Sequence, residues 1–277
     1  MTKRKTNKKN IQHESDAIKY FKRYLKVGPV GLALWRSVEA KHLSRVSLKR
    51  PILDIGCGFG EFAEVYAESP IDMGVDNCSR DLAVAAKTNK YKNLTLADAA
   101  DLPFADNYFG SIFSISTLEH IENVDGSLKE AFRVLKPNGI FFLTLETNEV
   151  DEATFYRPLL KKYGMTRFSN YLSYRYNKLF HRKNLLTKVQ WRKKVERYGF
   201  IIDKSQNIIS PEINKLFDIL LISAWPSQII RLITGKRMVF RPQIATDFFA
   251  SIFSRVLEAE EKDGTNLLLI VRKPKSA

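Results

Sequence analysis

The sequence predicts an α/β protein built around a doubly wound, mainly parallel β-sheet. Short apolar segments alternate with amphipathic segments from about residue 51 to about residue 145. Such alternation requires crossover connections and places helices on both faces of the sheet. A glycine-rich turn follows the first apolar segment, and an acidic residue ends the second. We therefore expect a ligand site at the carboxyl ends of the strands, near the point where their order reverses.

Each predicted strand is a short apolar run bounded by turn residues. Strands are predicted over residues 51–55, 71–75, 93–97, 109–115, 140–145, 199–203 and 266–271. Apolar residues at helical spacing predict helices over residues 59–68, 81–87, 127–135 and 184–198. A Lys-Pro-Asn-Gly turn at residues 136–139 is expected to end the third of these helices. The resulting sheet has seven strands.

The chain divides into four predicted parts. Residues 1–13 form a basic tail that we expect to be disordered, and residues 14–48 form a helical cap interrupted at Gly28-Pro29. Residues 49–146 form the core with the glycine-rich turn. Residues 147–277 contain the last strands and, between them, a long apolar insertion over residues 206–263.

Composition limits the partners and the compartment. There are 45 lysines and arginines against 30 acidic residues, a formal net charge of +15. This surplus favours anionic partners such as nucleic acid, a phospholipid surface or a phosphorylated ligand. The two cysteines, Cys57 and Cys78, do not form a disulfide framework and indicate a reducing, cytoplasmic location. No apolar run follows the basic tail, so we do not interpret it as a secretory signal.

The glycine-rich turn carries the main functional signal. Gly56, Gly58 and Gly60 alternate with other residues directly after the first strand, and Asp54 precedes them. Glycines here permit a tight turn and let a ligand lie against the backbone. Asp76 ends the next strand, twenty positions after Gly56, where a carboxylate can accept hydrogen bonds from both ribose hydroxyls. The spacing differs from the G-x-G-x-x-G pattern of dinucleotide sites.

This pattern resembles the first motif of class I S-adenosylmethionine-dependent methyltransferases. The likeness covers about residues 50–145 and continues in later motifs in the same order. These later motifs are Leu96–Ala99, Leu102–Phe104, Phe109–His120 and Phe132–Gly139. The most similar subgroup is that of quinone-biosynthesis and related small-molecule methyltransferases. The resemblance implies a Rossmann-like, seven-stranded sheet whose last strand is antiparallel, and S-adenosylmethionine as the methyl donor.

The resemblance also assigns expected roles at matching positions. Asp54, Gly56, Gly58 and Gly60 would line the methionine part of the donor. Asp76 would hold the ribose, with Asn77 beside the adenine.

Further donor contacts are expected from later segments and from the helical cap. Asp98 would accept a hydrogen bond from the adenine amino group, next to the backbone of Ala99, although Asp98 could instead cap a turn. Ser116 and Thr117 would lie under the sulfonium. Trp35 and Arg36 would reach the donor's carboxylate, or serve as a core anchor and a solvated arginine.

His120 is the candidate catalytic residue. Its imidazole titrates near neutrality and could remove a proton from an acceptor hydroxyl. Alternatively, Glu119 and His120 together shape the floor of the pocket. Some quinone methyltransferases carry a glutamate three positions before this pair and bind a divalent metal there. Ser116 occupies that position here, and we predict no metal site.

The second half of the chain suggests the acceptor. Residues 155–200 contain thirteen lysines and arginines against a single acid, Glu196, and are rich in aromatics. Residues 216–233 are strongly apolar but are interrupted by Asp218 and Pro226, so they suit a membrane interface better than a membrane span. We therefore expect a peripheral enzyme at the inner face of a membrane that methylates a small-molecule, lipid-like or lipid-linked acceptor.

Three alternatives to this prediction remain. The apolar insertion could form a lid over the core or a dimer contact. The basic, aromatic surface could grip RNA, which would make the chain an RNA-modifying or RNA-binding methyltransferase. Against this, the sequence contains no recognisable RNA-binding module and no Asn/Asp-Pro-Pro-Tyr/Phe segment after the fourth strand. A non-catalytic partner subunit is disfavoured by the intact glycine motif and Asp76.

Overall fold

The computed structural model describes residues 15–221, 241–259 and 261–275. The described residues contain one seven-stranded sheet flanked by helices. The strands are β1 (Ile52–Ile55), β2 (Ile71–Asp76), β3 (Tyr91–Leu96), β4 (Phe109–Ile115), β5 (Leu135–Glu146), β6 (Ile201–Ile208) and β7 (Asn266–Arg272). The helices are α1 (Asp16–Tyr24), α2 (Val30–Leu43), α3 (Glu61–Tyr66), α4 (Ser79–Ala85), α5 (Val124–Val134), α6 (Glu149–Glu152), α7 (Tyr156–Lys162), α8 (Thr166–Leu179), α9 (Lys188–Arg197), α10 (residues 211–221) and α11 (Gln243–Leu257).

The strand order confirms the predicted doubly wound sheet. The order is β3-β2-β1-β4-β5-β7-β6. Strands β1 to β5 pair in parallel, whereas β7 runs antiparallel to both β5 and β6. Chain order reverses between β1 and β4, and the carboxyl ends of these two strands therefore frame the expected ligand crevice.

Apolar residues cover both faces of the sheet. Phe113 and Phe142 belong to a buried cluster that includes residues of α1 and α2. Their neighbours Ile112 and Phe141 belong to a second cluster that includes residues of α5 and α9. Successive strand residues point to opposite faces, so the two clusters lie on opposite sides of the central strands. Strand β4 is buried along its whole length, as expected of a parallel strand covered twice.

The structure corrects three predicted element boundaries. Residues 136–139 lie within β5 rather than in a turn, although Asn138 has a φ of 58° and the pairing with β4 shifts register near Phe109. Strand β6 continues to Ile208, because pairing with β7 supplies backbone partners as far as that residue. The helical cap ends at Leu43 rather than near residue 48.

The predicted interruption of the helical cap at Gly28-Pro29 is confirmed. Helix α1 begins after Ser15, whose hydroxyl accepts from the Ile18 amide at 3.5 Å, and α2 begins after Pro29. Helix α2 is buried on nearly all sides, with ring centroids of Trp35 and Phe217 only 5.4 Å apart. The cap is thus packed between the sheet and α10.

The predicted interfacial segment is only partly visible. Residues 211–221 are helical, but residues 222–240 lie outside the described residues, as do residues 1–14 of the predicted basic tail. Within the described parts of the chain, no helix is both long enough and apolar enough to cross a bilayer.

Candidate active site

Three glycines shape the turn between β1 and α3. Gly56, Gly58 and Gly60 have φ values of 78°, 51° and 73°, a region that L-residues avoid. A Cβ on Gly56 would lie 2.1 Å from Cγ2 of Thr117, so the turn and the end of β4 approach each other closely. A Cβ on Gly58 would meet nothing within 4 Å. The space beside Gly58 is therefore open, and a ligand can lie there against the backbone of the turn.

Asp76 anchors this turn. Its Oδ2 accepts from the Gly58 amide at 2.8 Å, and its Oδ1 accepts from the Cys78 amide at 3.0 Å. Burial raises the pKa of Asp76 above its ordinary value, although these two amides counteract the effect. Each carboxylate oxygen keeps a further lone pair. Asp76 can thus hold the turn and still accept from two ligand hydroxyls.

A cavity of about 720 Å³ opens at the carboxyl ends of β1 and β4. This volume lies in the range that takes small-molecule ligands and cofactors. Nearly all residues expected to contact the donor line it: Arg36, Asp54, Gly56, Gly58, Asp76, Asn77, Asp98, Ala99, Ser116 and Thr117. Gly60 does not line it; a Cβ there would lie 3.1 Å from Cα of Ala85, so this glycine serves the packing of α3 against α4.

Asp98 has the turn-capping role that was one of two expected of it, and its role toward the adenine stays a prediction. Its Oδ1 accepts from the Ala100 amide at 2.8 Å and so caps a turn. Its side chain is also exposed at the cavity wall, next to Ala99. The turn cap orients the carboxylate and leaves its other oxygen available to a ligand.

Asp54 is buried beneath the turn. Only 3% of it is exposed, and its Oδ2 accepts from the Tyr91 hydroxyl at 2.7 Å. Burial raises the pKa of Asp54 to about 7, with the Tyr91 hydrogen bond opposing the shift and Asp76 adding to it. A cationic ligand group beside this carboxyl would favour its ionised form.

Glu39 is a site residue that the sequence analysis missed. This fully buried carboxylate accepts from Arg36 Nη1 at 2.8 Å, from the Ser116 hydroxyl at 2.5 Å and from the Thr144 hydroxyl at 2.8 Å. It thereby positions two cavity residues from different parts of the chain. Glu39 is the single acid of α2 and follows Arg36 by three positions, which is the one signal that could have indicated it.

The structure separates the roles of Trp35 and Arg36. Arg36 lines the cavity, whereas Trp35 is buried in the core against Phe217. The expectation that Trp35 reaches the donor is therefore wrong, because neighbouring residues of a helix point about 100° apart. Trp35 is instead the aromatic core anchor of the cap.

His120 also lines the cavity. Its Nδ1 lies 3.3 Å from the carbonyl oxygen of His181, which can only accept. Nδ1 therefore carries the hydrogen, and Nε2 of the neutral ring has a free lone pair. Burial lowers the pKa of His120, with Glu146 opposing the shift. The neutral ring at physiological pH is suited to accept a proton.

An acidic cluster lies behind His120. Glu119, His120 and Glu146 each offer one possible metal-ligand atom, and these three atoms lie within 4.8 Å of one another, an arrangement that could hold a metal ion. Arg182 forms a buried ion pair with Glu146, and the chain itself thus supplies a cation there. Burial and the neighbouring Glu146 raise the pKa of Glu119 far above its usual range. The absence of a metal site stays a prediction.

Comparisons with known proteins identify the class. Residues 53–143 match the family described as a methyltransferase domain. The ubiquinone/menaquinone biosynthesis C-methyltransferase of Rickettsia felis is 31% identical over 135 residues, which are 44% of this chain and 53% of that protein. Sterol 24-C-methyltransferase of Schizosaccharomyces pombe is 31% identical over 99 residues, 32% of this chain and 26% of that protein.

A solved structure extends the comparison to the whole fold. An S-adenosylmethionine-dependent methyltransferase from Thermotoga maritima superimposes with a TM-score of 0.54, covering 92% of this chain and 93% of its own, at 17% identity. Residues 53–143 thus match a methyltransferase domain, and the sheet around them has the fold of S-adenosylmethionine-dependent methyltransferases. It spans about half the length of the curated quinone methyltransferases that it matches.

Proposed function

We propose that the chain transfers a methyl group from S-adenosylmethionine to a small, lipid-like acceptor at a membrane surface. The observation that carries the proposal is the cavity at the carboxyl ends of β1 and β4, with Asp76 anchoring its turn and Gly58 leaving open space. The donor, when bound, supplies an electrophilic methyl group on a sulfonium.

The chain's residues have distinct tasks in this proposal. The backbone of the glycine turn lets the donor approach closely, and Asp76 holds its ribose hydroxyls. Ser116, fixed by Glu39, closes the cavity at the end of β4. A donor held there would pass its methyl carbon to the acceptor atom, and the electrons of the broken carbon–sulfur bond would stay on sulfur. Nε2 of His120 takes the proton that the acceptor releases.

Two observations support a lipid-like acceptor. The cavity lining includes the apolar side chains of Leu32, Phe62 and Ile121 together with Tyr24, which favours an apolar substrate. The relatives named above are, by their names, a quinone-biosynthesis and a sterol methyltransferase. Holding such an acceptor close and dry supplies much of the rate enhancement of an in-line displacement.

Donor binding is the first test. Titration calorimetry with S-adenosylmethionine should show binding to the wild type and a loss of about a hundredfold in Asp76→Ala, because charge-assisted hydrogen bonds are removed. Asp101→Ala is the matched control, since this exposed residue lies outside the cavity lining. Equal affinity of all three proteins would refute the assignment of the donor site.

Acceptor class is the second test. Methyl-labelled donor, the protein and a membrane lipid extract should place label in the organic phase. His120→Gln should reduce the rate about a hundredfold while leaving donor affinity unchanged, since general-base catalysis contributes at that level. Label appearing only in nuclease-sensitive aqueous material would replace the lipid-like acceptor with RNA.

A further inference from the structure

Helix α8 has its polar and apolar sides reversed. Its most buried residues are Ser169 and Ser173, which are 0% and 4% exposed. Phe168, Tyr171 and Tyr174 point outward and are 47%, 52% and 63% exposed. A helix that packs on a soluble core normally shows the opposite arrangement. The outward aromatic residues therefore require another explanation than core packing.

Polar contacts attach this helix to the rest of the molecule, beside the ring contact of Tyr176 with Tyr156 at 6.2 Å. The Ser173 hydroxyl accepts from Arg157 Nη1 at 2.5 Å, and the Tyr176 hydroxyl donates to Asp218 at 2.5 Å. Asn177 donates to Asp151 at 2.9 Å. These bonds hold the inward side, although Ser169 Oγ has no hydrogen-bond partner among the described residues. The outward aromatic side chains take no part in these bonds.

Cations and further apolar side chains surround the outward aromatics. Residues 155–179 contain six lysines and arginines and no acid. We define the α7–α8 face as the exposed hydrophobic and basic side chains of these two helices and the turn between them. It consists of Leu159, Lys161, Lys162, Tyr163, Met165, Arg167, Phe168, Tyr171, Tyr174, Arg175, Lys178 and Leu179.

We propose that the α7–α8 face docks on an anionic phospholipid surface. Tyrosine and phenylalanine rings favour the level of the headgroups, and lysine and arginine pair with anionic lipids. Leu159, Met165 and Leu179 add aliphatic area that suits the acyl boundary and does not stack on bases. The inference rests on the proposed function, because a lipid-like acceptor would be reached at such a surface.

The chain connects this face directly to the cavity. Helix α8 ends at Leu179, the His181 carbonyl contacts His120, and Lys183 lines the cavity. Docking at the carboxyl end of α8 therefore brings a membrane surface within a few residues of the site. An acceptor that leaves the bilayer there has a short path to His120.

Vesicle sedimentation tests the inference with the full chain. Vesicles of phosphatidylcholine containing phosphatidylglycerol should bind the wild type at low salt, and pure phosphatidylcholine vesicles should bind it far less. The triple variant Phe168→Ser, Tyr171→Ser, Tyr174→Ser should lose binding by roughly tenfold or more, because its apolar area is removed. Thermal unfolding checks that the variant is folded.

Helix α11 provides a matched control. Ile244, Phe248 and Ile252 are 84%, 61% and 51% exposed at helical spacing, and their replacement by serine should leave vesicle binding within about twofold of the wild type. Loss of binding only in this α11 variant, with the α8 variant unaffected, would overturn the proposal. Salt-sensitive binding to single-stranded RNA without vesicle binding would also overturn it.

Donor titration separates this inference from the proposed function. Failure of the wild type to bind S-adenosylmethionine would refute the proposed function itself. Normal donor binding by the wild type without vesicle binding would refute the docking face alone. Normal donor binding by the α8 variant, together with lost vesicle binding, would confirm docking as a separate property of this face.

Discussion

Strand β4 and helix α8 are assembled in opposite ways. Every residue of β4 is buried, and its apolar side chains are divided between the two core clusters. Helix α8 buries serines and exposes aromatics. Apolar burial is the main driving force of folding, so β4 is a structural element first. The outward surface of α8 is not constrained in this way and is available for a function.

The glycine turn gives the sharpest test within the core region. Gly56→Ala should lower the free energy of unfolding by about 3 kcal/mol or more, because the new Cβ would overlap Thr117 and the positive φ adds strain. Gly58→Ala should lower it by only about 1 kcal/mol, since it meets open space. Urea denaturation measures both.

The same pair of variants should separate stability from binding. Gly58→Ala should weaken S-adenosylmethionine binding by roughly tenfold, because its methyl group occupies the space along which the ligand approaches. Equal stability of the two variants would show that the 2.1 Å approach of a Cβ on Gly56 to Thr117 does not destabilise the fold.

The Arg182–Glu146 ion pair joins the segment that follows α8 to the end of β5, the strand next to β4. Both side chains are nearly buried, at 2% and 10% exposure. Arg182→Met should lower the free energy of unfolding by about 3 kcal/mol, because an uncompensated carboxylate stays buried. Adding Glu146→Gln should restore part of this loss.

Magnetic resonance titration of His120 provides a second measurement on these variants. Arg182 is one of the groups that lower the pKa of His120, whereas Glu146 raises it. The pKa of His120 should therefore rise in Arg182→Met. A double variant no more stable than the single one would argue against coupling of the two side chains.

Asp54 predicts a pH dependence on the donor side. Its pKa is raised to about 7 in the folded chain. The contribution of protonated Asp54 to the free energy of unfolding is therefore fully present below the unfolded pKa of about 4 and is lost as the pH rises to 7. At pH 8 Asp54→Asn should be more stable than the wild type by on the order of 2 kcal/mol.

Donor binding should show the opposite trend. We expect the ammonium of the donor's methionine part to pair with ionised Asp54, so wild-type affinity should rise by several-fold from about pH 6 to pH 8. Asp54→Asn should bind more weakly and without this dependence. Calorimetry at both pH values measures the affinity for S-adenosylmethionine. A wild-type affinity that does not change with pH would contradict the expected contact of Asp54 with the donor.

The smallest effects concern the inward side of α8. Among the described residues, Ser169 Oγ has no hydrogen-bond partner although it is fully buried. Ser169→Ala should therefore leave the free energy of unfolding unchanged or raise it by up to about 1 kcal/mol. Ser173→Ala should lower it by about 1 kcal/mol, because the bond from Arg157 is lost. Destabilisation of equal size in both would show that α8 is held by packing after all.

The sequence predicted the core far better than its surroundings. The bounds of β4 agree residue for residue, and the carboxyl ends of β1 and β2 bring Asp54 and Asp76 to one cavity. These features follow from local patterns, namely apolar runs and a glycine turn. The interfacial segment was expected over residues 216–233, and only its first part, up to residue 221, lies within what the structure describes.

Contacts between distant residues had no comparable signal. Glu39 and Thr144 are 105 positions apart, and Tyr91 and Asp54 are 37 apart. Neither pair has a periodicity or spacing that would mark it, because the contact exists only once the sheet has formed. For the same reason the ion pair of Glu146 with Arg182 was not predicted.

The antiparallel pairing of β6 with β7 has a consequence for insertions. Ile208 pairs with Asn266, and the Thr265 amide donates to the Ile209 carbonyl at 2.9 Å. The long excursion between them thus leaves the sheet and rejoins it at a single rung, like the loop of a hairpin. Doubling the length of such a loop adds only about 0.6 kcal/mol of closure entropy. Insertions into this connection should therefore be tolerated at little cost to the strands and the glycine turn.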